Sequence, residues 1–541
     1  MKDISSTGSF IDFTLENFIY VDKTEYIPKL VKLKRVFISR PRRFGKSLTL
    51  DTIATLFETG VEPYFKGTWI YDKWTEPTYP VLRLNFLDLD KYSLEHFKQK
   101  LNAIISSFAR DINVKNYEEK VEPEDTIYFL LDELRKEKRQ IVILIDEYDC
   151  QMTANINNET LYKQFQEKIK SFYATIKNKW PIKFLGITGV TRLKDVEIFS
   201  IGSDINDITN ESAFSQLIGF TRDEIKKYYI DYLKLASSYD NNCSVDNVTD
   251  EQIESLLDRL AKNYDGYCFD EFYKKKVFST WSVNKFFQSV VSNKFVYFGE
   301  YWYDNGGLPS ILVNYLKTHE LNIFEYLDKD KFLKVSSDDF KNPTALTTIN
   351  QNVLMCQTGY LTLRSDLNKT STVALGIPNG EIYKALNRLL AKNIFKGNTD
   401  VTDDQGMNLL EVGSVDDIIN LFNSALNSVS YDNYPIVSES SVQNMLKLYL
   451  LGAHQEVLSE VHEAKGRADL IVNTDNRRIV FEFKYAKNET ETKAKLSEAV
   501  EQIKTRDYGN ILPKKNELIR IAAVFNADPK VRAFTENQIV L

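Results

Sequence analysis

The sequence predicts an α/β protein in which two α/β segments bracket a helical middle region. Three patterns carry that reading. Short aliphatic runs alternate with helical spacing up to about residue 212. Helical segments and Tyr/Phe-rich loops follow from Ala213 to about residue 335, and the final hundred or so residues return to α/β alternation. Near-continuous apolar strands separated by helices imply a parallel sheet covered on both faces.

In the first segment, Arg35–Ser39 (RVFIS), Val81–Phe86 (VLRLNF), Gln140–Ile145 (QIVILI) and Lys183–Thr188 (KFLGIT) each read as a buried strand. Leu48–Glu58 and Leu161–Lys177 have helical spacing. Thr221, followed by Asp223 and Glu224, has the composition of a helix N-cap with acids in the first turn. A polar, mixed stretch with turns at Gly359–Thr362 and Ile377–Gly380 then reads as a connecting region. The expected segments are 1–212, 213–335, 336–432 and 433–541.

At 541 residues the chain is too long for one core, since domains hold roughly 100–200 residues each. Apolar residues at 43% and charged residues at 27% are the balance of a soluble globular protein. The longest aliphatic run, Ile141–Ile145, falls far short of the ~20 residues of a membrane span. The opening MKDISSTGSF has neither a basic nor an apolar targeting stretch, so a cytoplasmic location with no membrane partner is expected. Cys150, Cys243, Cys268 and Cys356 form no CxxC pair, which fits neither a disulfide framework nor a zinc site. A net charge of −7 argues against a surface that binds nucleic acid everywhere, while leaving room for a local basic groove.

The strand Arg35–Ser39 runs into Arg40-Pro41-Arg42-Arg43-Phe44-Gly45-Lys46-Ser47 and then a helical pattern. Strand, loop, Gly-Lys-Ser and helix are the context of a phosphate-binding loop. Backbone N–H groups at the helix start would bind phosphate, Lys46 would reach the β- and γ-phosphates, and Ser47 would hold Mg²⁺. Arg40 stands where that pattern has its first glycine. Arg42, Arg43, Phe44, Gly45, Lys46 and Ser47 are the candidate ATP-binding residues. About a hundred residues on, an aliphatic strand ends on Asp146 and Glu147. Asp146 would complete the Mg²⁺ shell and Glu147 would orient or activate the attacking water. At the tip of the Lys183–Thr188 strand, Thr188, Thr191 and Arg192 are candidates to sense the γ-phosphate, with a structural ion pair the alternative for Arg192.

The final segment carries a second constellation. Gly466-Arg467-Ala468-Asp469 opens one strand, a turn spans Asn473–Arg478, and Ile479-Val480-Phe481-Glu482-Phe483-Lys484 forms the next. Alternation places Glu482 and Lys484 on one face and Phe481 and Phe483 on the other. Asp469 and Glu482 offer hard oxygen ligands for Mg²⁺ or Mn²⁺, and Glu460 is a candidate third ligand. Lys484 would position the water or neutralise transition-state charge. Gln502, on a helix over Leu496–Tyr508, could reach the same site. His462, near Glu460, is more simply a packing or surface residue.

These motifs resemble a family, the bacterial AAA-ATPase-like proteins that carry a C-terminal PD-(D/E)xK nuclease-superfamily domain. The resemblance runs over nearly the whole chain. Tyr20-Val21-Asp22-Lys23-Thr24 is similar to the family's opening motif, and Arg40–Ser47 to its version of the phosphate loop, which also lacks the first glycine. Tyr264-Asp265-Gly266-Tyr267, Gln357–Thr362 and Ile377-Pro378-Asn379 are similar to its landmarks in the middle. Gly466–Asp469, Glu482–Lys484 and Ala499–Ile503 match its nuclease-like pattern. The resemblance implies an N-terminal P-loop NTPase (a parallel sheet flanked by helices), a helical middle, and a C-terminal restriction-endonuclease-like α/β domain. It also implies mobile-element or defence roles.

The leading expectation is an ATPase and Mg²⁺-dependent endonuclease that cuts nucleic acid, DNA ahead of RNA, under nucleotide control, and that can form a homo-oligomer. The first alternative is a switch ATPase whose C-terminal domain binds nucleic acid or a partner without cutting. The second is an ATPase with no nucleic-acid partner.

Overall fold

The structure, a computed structural model, describes residues 1–177, 179–193, 204–304, 310–316, 319, 323–343, 345–395, 409–453, 456–463, 466–509 and 514–540. The chain packs as two units, one holding 1–321 with 330–382 and the other 322–329 with 383–541. The four segments expected from the sequence divide the chain more finely, and that finer division stands as a proposal.

The first unit is built on strands β1 (Arg35–Ser39), β2 (Val81–Asn85), β3 (Ile141–Asp146), β4 (Ile182–Gly189) and β5 (Asn206–Asp207). Their order is β2-β3-β4-β1-β5 and all pair in parallel. Every residue of β1 and β3 is buried, as a strand covered on both faces requires. The register sets Ile38 beside Thr188, Ile145 beside Ile187 and Asn85 beside Asp146, so the C-terminal tips of the strands line up. Helix Lys46–Thr59 leaves the tip of β1 after Gly45 and stops at Gly60, both at positive φ, 102° and 72°.

Beyond the sheet lie helices Arg222–Tyr228, Ile230–Asp240, Asp250–Tyr264 and Thr280–Asn293. The first opens on the expected cap. Thr221 accepts from the Glu224 N–H and Glu224 accepts from the Thr221 N–H, a reciprocal capping box. Ile225, Tyr229, Leu233, Leu257, Phe286 and Phe287 form the shared core of these helices. The stretch read as polar connection contains regular structure as well. Strands β6 (Leu333–Ser336), β7 (Thr362–Leu363) and β8 (Thr372–Gly376) make a small antiparallel sheet, ordered β6-β8-β7.

The second unit is a five-stranded mixed sheet of β9 (Glu456–Glu463), β10 (Gly466–Asn473), β11 (Arg477–Ala486), β12 (Glu517–Asn526) and β13 (Ala533–Ile539). Its order is β13-β12-β11-β10-β9, and only β11 with β12 is parallel. A parallel neighbour requires a crossover, and helix Glu489–Arg506 supplies it. The turn between β10 and β11 is closed by Thr474, whose N–H donates to Arg477 O at 2.9 Å and whose hydroxyl accepts from Arg477 N–H at 3.0 Å. One face of β10 and β11 presents Ile471 and Val480, which cluster with Ala499 and Ile503 of the crossover helix. The other presents Phe481 and Phe483, whose rings stack 5.5 Å apart, with Phe422 5.3 Å from Phe481 and Phe534 5.5 Å from Phe483.

Candidate functional site

At the tip of β1 the chain turns through Arg43, at φ 67°, and Gly45 before entering helix Lys46–Thr59. Residues 42–47 all line a cavity of about 560 Å³, together with Glu147. The helix start therefore faces a cleft, and its free N–H groups suit an anion. The Lys46 ammonium donates to the carbonyls of Arg40 (3.1 Å) and Pro41 (3.2 Å) and lies 3.5 Å from Glu147 Oε1. Ser47 Oγ donates to Asp146 Oδ2 at 2.5 Å. The other Asp146 oxygen accepts from the Thr188 hydroxyl and from the Glu147 N–H at 2.9 Å. Lys46, Ser47, Asp146, Glu147 and Thr188 thus form one bonded cluster drawn from the loop and from two strand tips.

The remaining candidates near this loop have other partners. Arg43 donates to the carbonyls of Tyr301 and Trp302 at 3.2 and 3.0 Å and stacks over Trp281 at 4.7 Å. Phe44 is buried edge-on to Tyr267, 4.7 Å away, and to Trp302. Arg192 forms an ion pair with Asp207, and Arg192 is not among the residues that line the cavity. The Thr191 N–H and hydroxyl donate to Asp149 Oδ2 at 2.7 and 2.5 Å.

Two residues to which the sequence assigns no role explain the local build. Arg40 is wholly buried, donates to Ser39 O and Thr209 O, and stacks over Phe269 at 4.1 Å. Burial lowers its guanidinium to about 9, so it stays a cation at neutral pH, spent on the scaffold behind the loop. Asp149 is also buried. Burial, and then the nearby Glu147, raise its carboxyl, while its hydrogen bonds from Val190 and Thr191 fix the end of β4 against the end of β3.

In the second unit, β10 and β11 bring Asp469, Glu482 and Lys484 together. Register places Leu470 opposite Phe481, so Asp469 and Glu482 are neighbours on one face. Asp469 Oδ2 accepts from the Phe483 N–H at 2.8 Å. The Lys484 ammonium donates to Glu482 Oε1 (2.9 Å), Glu439 Oε1 (3.3 Å) and Phe483 O (3.1 Å), which uses all three of its protons. Glu482 is fully buried. Burial, then repulsion from Asp469, push its carboxyl up to about 7 despite Lys484. Burial raises Asp469 as well. Burial alone would lower Lys484, but the hydrogen bond and charge of Glu482 outweigh it and raise the ammonium.

Glu439 is the acid that sequence reasoning missed. It opens helix Glu439–Gly452 beside the cap Ser438, and Gln443, one turn further on, hydrogen-bonds Asp469. Ser438 before the periodic run Val442, Met445, Leu446 and Tyr449 marks the helix start in the sequence. No local pattern says that this start returns to the Asp469 strand. The side chains of Glu460 and His462 lie outside the described residues. Gln502 bonds Tyr508 Oη at 3.4 Å, and Arg506 bonds the same hydroxyl at 2.9 Å. The charges of Glu482 and Asp469 help to raise the Arg506 guanidinium, after the larger effect of Tyr508, so Arg506 lies within their electrostatic reach.

Fit to a divalent cation can be read from the donor set. Glu482 Oε2 is buried with no hydrogen-bond partner, beside a second carboxylate. Two acids raised by burial, one of them raised further by its neighbour and with one oxygen unsatisfied, suit a cation that would displace the proton. Among the described residues no group of three or more His, Cys, Asp and Glu side chains is gathered to hold a metal. A pair is compatible with Mg²⁺, which keeps several waters and takes one or two carboxylates. The donors therefore fit, and Asp469 and Glu482 would be the ligands.

Comparison with known proteins follows the same division. Residues 5–199 match the model of a family described as predicted AAA-ATPase, and residues 437–535 match that of the PD-(D/E)XK nuclease superfamily. The chain is 25% identical over 533 residues to an uncharacterized protein in the vnfD 5'region of Azotobacter chroococcum mcd 1, covering 95% of this chain and 94% of that one. The crystal structure of Cdc6p from Pyrobaculum aerophilum aligns with a TM-score of 0.22 and 12% identity, over 69% of this chain and 92% of that chain. No described helix is long and apolar enough to cross a membrane. The chain thus joins an AAA-ATPase-like segment near its N-terminus to a segment of the PD-(D/E)XK nuclease superfamily near its C-terminus.

Proposed function

We propose that this chain binds and hydrolyses ATP at residues 42–47 and cleaves nucleic-acid phosphodiesters at Asp469, Glu482 and Lys484, with the nucleotide controlling the cut. The observation that carries the nuclease reading is the orphaned, buried Glu482 Oε2 beside Asp469. Burying a carboxylate oxygen without a partner is costly unless a ligand completes it.

Asp469 and Glu482 would hold the cation. When bound, that cation supplies charge neutralisation and a water of lowered pKa. Lys484 fixes Glu482 and Glu439 in place, with its protons already committed. Arg506 bonds only Tyr508 among the described residues and keeps free N–H donors, so it is the group to grip a phosphate oxygen. At the other site Lys46 would exchange its carbonyl partners for phosphate oxygens. Ser47 and Asp146 would hold Mg²⁺, and Glu147, released from Lys46, would accept the proton of the attacking water.

The second reading, a switch ATPase whose C-terminal segment binds nucleic acid or a partner without cutting, draws on one observation. Among the described residues no trio of His, Cys, Asp and Glu side chains is placed to hold a metal there. A cleavage assay on DNA and RNA with Mg²⁺ or Mn²⁺, with and without ATP, separates the two. Cutting by the wild type that is lost in Glu482→Ala and altered in Lys46→Ala supports the nuclease. ATP hydrolysis with no cutting under any condition selects the switch.

A further inference from the structure

The four long parallel strands of the first unit have two ends. Ser39, Asp146 and Gly189 mark the end that carries the phosphate loop. The other end is the N-terminal rim, where Lys34 enters β1, Gln140 enters β3 and Lys179-Trp180-Pro181 enter β4. Five residues of strand, at ~3.3 Å each, put this rim roughly 15 Å from the loop. The entering segments are bonded to one another. Arg35 donates to Lys179 O at 2.8 Å, Gln140 Nε2 to Trp180 O at 3.1 Å, and Ile141 N to Pro181 O at 2.8 Å.

The rim is basic in a chain whose net charge is −7. A depression of about 300 Å³ is lined by Lys32, Lys34, Lys73 and Lys183, with Glu76 as the sole acid. Glu76 is taken by Lys183 at 2.7 Å. Lys73 lies 4.1 Å over the Trp69 ring, and Lys32 and Lys34 are exposed without a carboxylate partner among the described residues. Asp204 is taken by Arg35 and Glu137 by Arg139 at 2.8 Å, and Asp72, next to Lys73 in the chain, is exposed. Lys32 and Lys34, which line the same depression without such a partner, repel one another, and an anion relieves that.

Exposed rings lie under two lysines of this rim, Lys73 and Lys179. Trp180 is 55% exposed and Tyr128 53%, and Lys179 sits over the Tyr128 ring at 5.0 Å. Trp69, under Lys73, is 41% exposed. A solvated basic face has no need of large uncovered rings. A polyphosphate with unpaired bases uses both, with ammonium groups on the backbone and rings for base stacking. We infer that the N-terminal rim of the parallel sheet, from Trp69 and Lys73 through Lys34 to Trp180, is a binding surface for single-stranded nucleic acid. This surface is separate from both sites described above and does not depend on cutting.

The test uses the full chain in EDTA, so that no strand is cleaved, and a fluorescent oligothymidylate read by anisotropy across a salt series. The triple variant Lys32→Glu, Lys34→Glu, Lys73→Glu should weaken binding at least about tenfold. It should also flatten the dependence of log affinity on log salt by about 0.7 per lost phosphate contact. The matching Lys→Arg triple should restore both. Trp180→Ala should cost about tenfold at unchanged salt slope. These side chains are exposed or lie at the rim, and ATP binding by each variant reports an intact fold. Unchanged affinity and slope in the glutamate triple overturn the proposal. So does binding of anionic vesicles or heparin as tight as that of the oligonucleotide and indifferent to Trp180→Ala. Cutting by the wild type with unaltered binding in the variants would sink this surface and spare the C-terminal reading. Binding lost in the variants with no cutting by the wild type would do the reverse.

Discussion

Ser47 Oγ lies 2.5 Å from Asp146 Oδ2, a contact that spans 99 positions of sequence and ties the loop after β1 to the tip of β3. In the Asp146→Asn variant the side chain keeps its size and one acceptor for Ser47 or Thr188, but loses its charge. Calorimetric titration should then show Mg²⁺-dependent ATP binding weakened by about ten- to a hundredfold, the range for a hydrogen-bonded charge. Lys46→Ala should weaken binding with or without Mg²⁺. Equal affinity in both variants and the wild type would remove this loop as the nucleotide site.

How far this contact could be read in advance depends on its parts. The strands were legible because RVFIS and IVILID are buried on both faces and read as continuous apolar runs, and the Thr221 cap because its partner Glu224 is only three residues away. Arg40 was visible only as a missing glycine, because its partner Thr209 lies 169 positions on. Glu439 was not legible at all, since Lys484 reaches it across 45 positions and a change from helix to strand. The β6–β8 strands were hidden because two to five residues carry too little periodicity.

At the C-terminal site, Glu482→Gln and Asp469→Asn should each reduce metal-dependent cutting by at least about a hundredfold, as loss of a transition-state charge stabiliser does. Binding of oligonucleotide in EDTA should persist in both. Cutting that survives in both variants would show that these acids hold no catalytic cation.

Arg506→Ala should raise KM for an oligonucleotide, lower kcat, or both, while leaving the melting temperature unchanged, because the side chain is only half-buried. Arg506→Lys should recover part of the loss. A lysine supplies the charge without the paired donors of a guanidinium. Steady-state cleavage kinetics on the two variants decide the matter. Wild-type kinetics in Arg506→Ala would leave the phosphate to another group.

Gly189 closes β4 against Tyr148 and Asp149. An added Cβ would sit 2.7 Å from Asp149 Oδ1 and nearer still to the Tyr148 ring. Gly189→Ala should therefore cost about 1–3 kcal/mol of stability. It should also slow ATP hydrolysis, because Asp149 holds Thr191 and the β4 tip in register with Asp146. Denaturant unfolding and a phosphate-release assay would each register the change, and an unperturbed variant would mean that the tip can rearrange freely.

Glu381 is wholly buried and accepts from Ser282 Oγ at 2.7 Å and from Trp302 N at 2.8 Å. Burial pushes its carboxyl from 4.5 up to about 8, with Ser282 and Trp302 opposing. A folded value above the unfolded one means that the native state binds the extra proton. That stability is present in full below about 4.5 and is lost as pH rises through about 8. The loss amounts to about 3–5 kcal/mol. Glu381→Gln should flatten this part of the pH–stability curve, since the Ser282 hydroxyl can turn to accept from the amide. A curve of unchanged slope in the variant would assign the effect elsewhere.

The Thr474–Arg477 turn has a consequence for what natural variation the C-terminal segment can absorb. Its residues meet one another through backbone atoms and the Thr474 hydroxyl, while Asn476 and Arg477 reach outward to Glu411 and Glu517. Its length cannot vary. Side chains alternate across a strand, so one inserted or deleted residue there would rotate β11 by half a turn relative to β10. Phe481 and Phe483 would then be delivered to the cation position, while Glu482 and Lys484 would be driven in among Phe422 and Phe534. A length change of one in this four-residue turn should therefore mark relatives that lack the Asp469–Glu482 pairing, even where Asp, Glu and Lys all survive in their sequences.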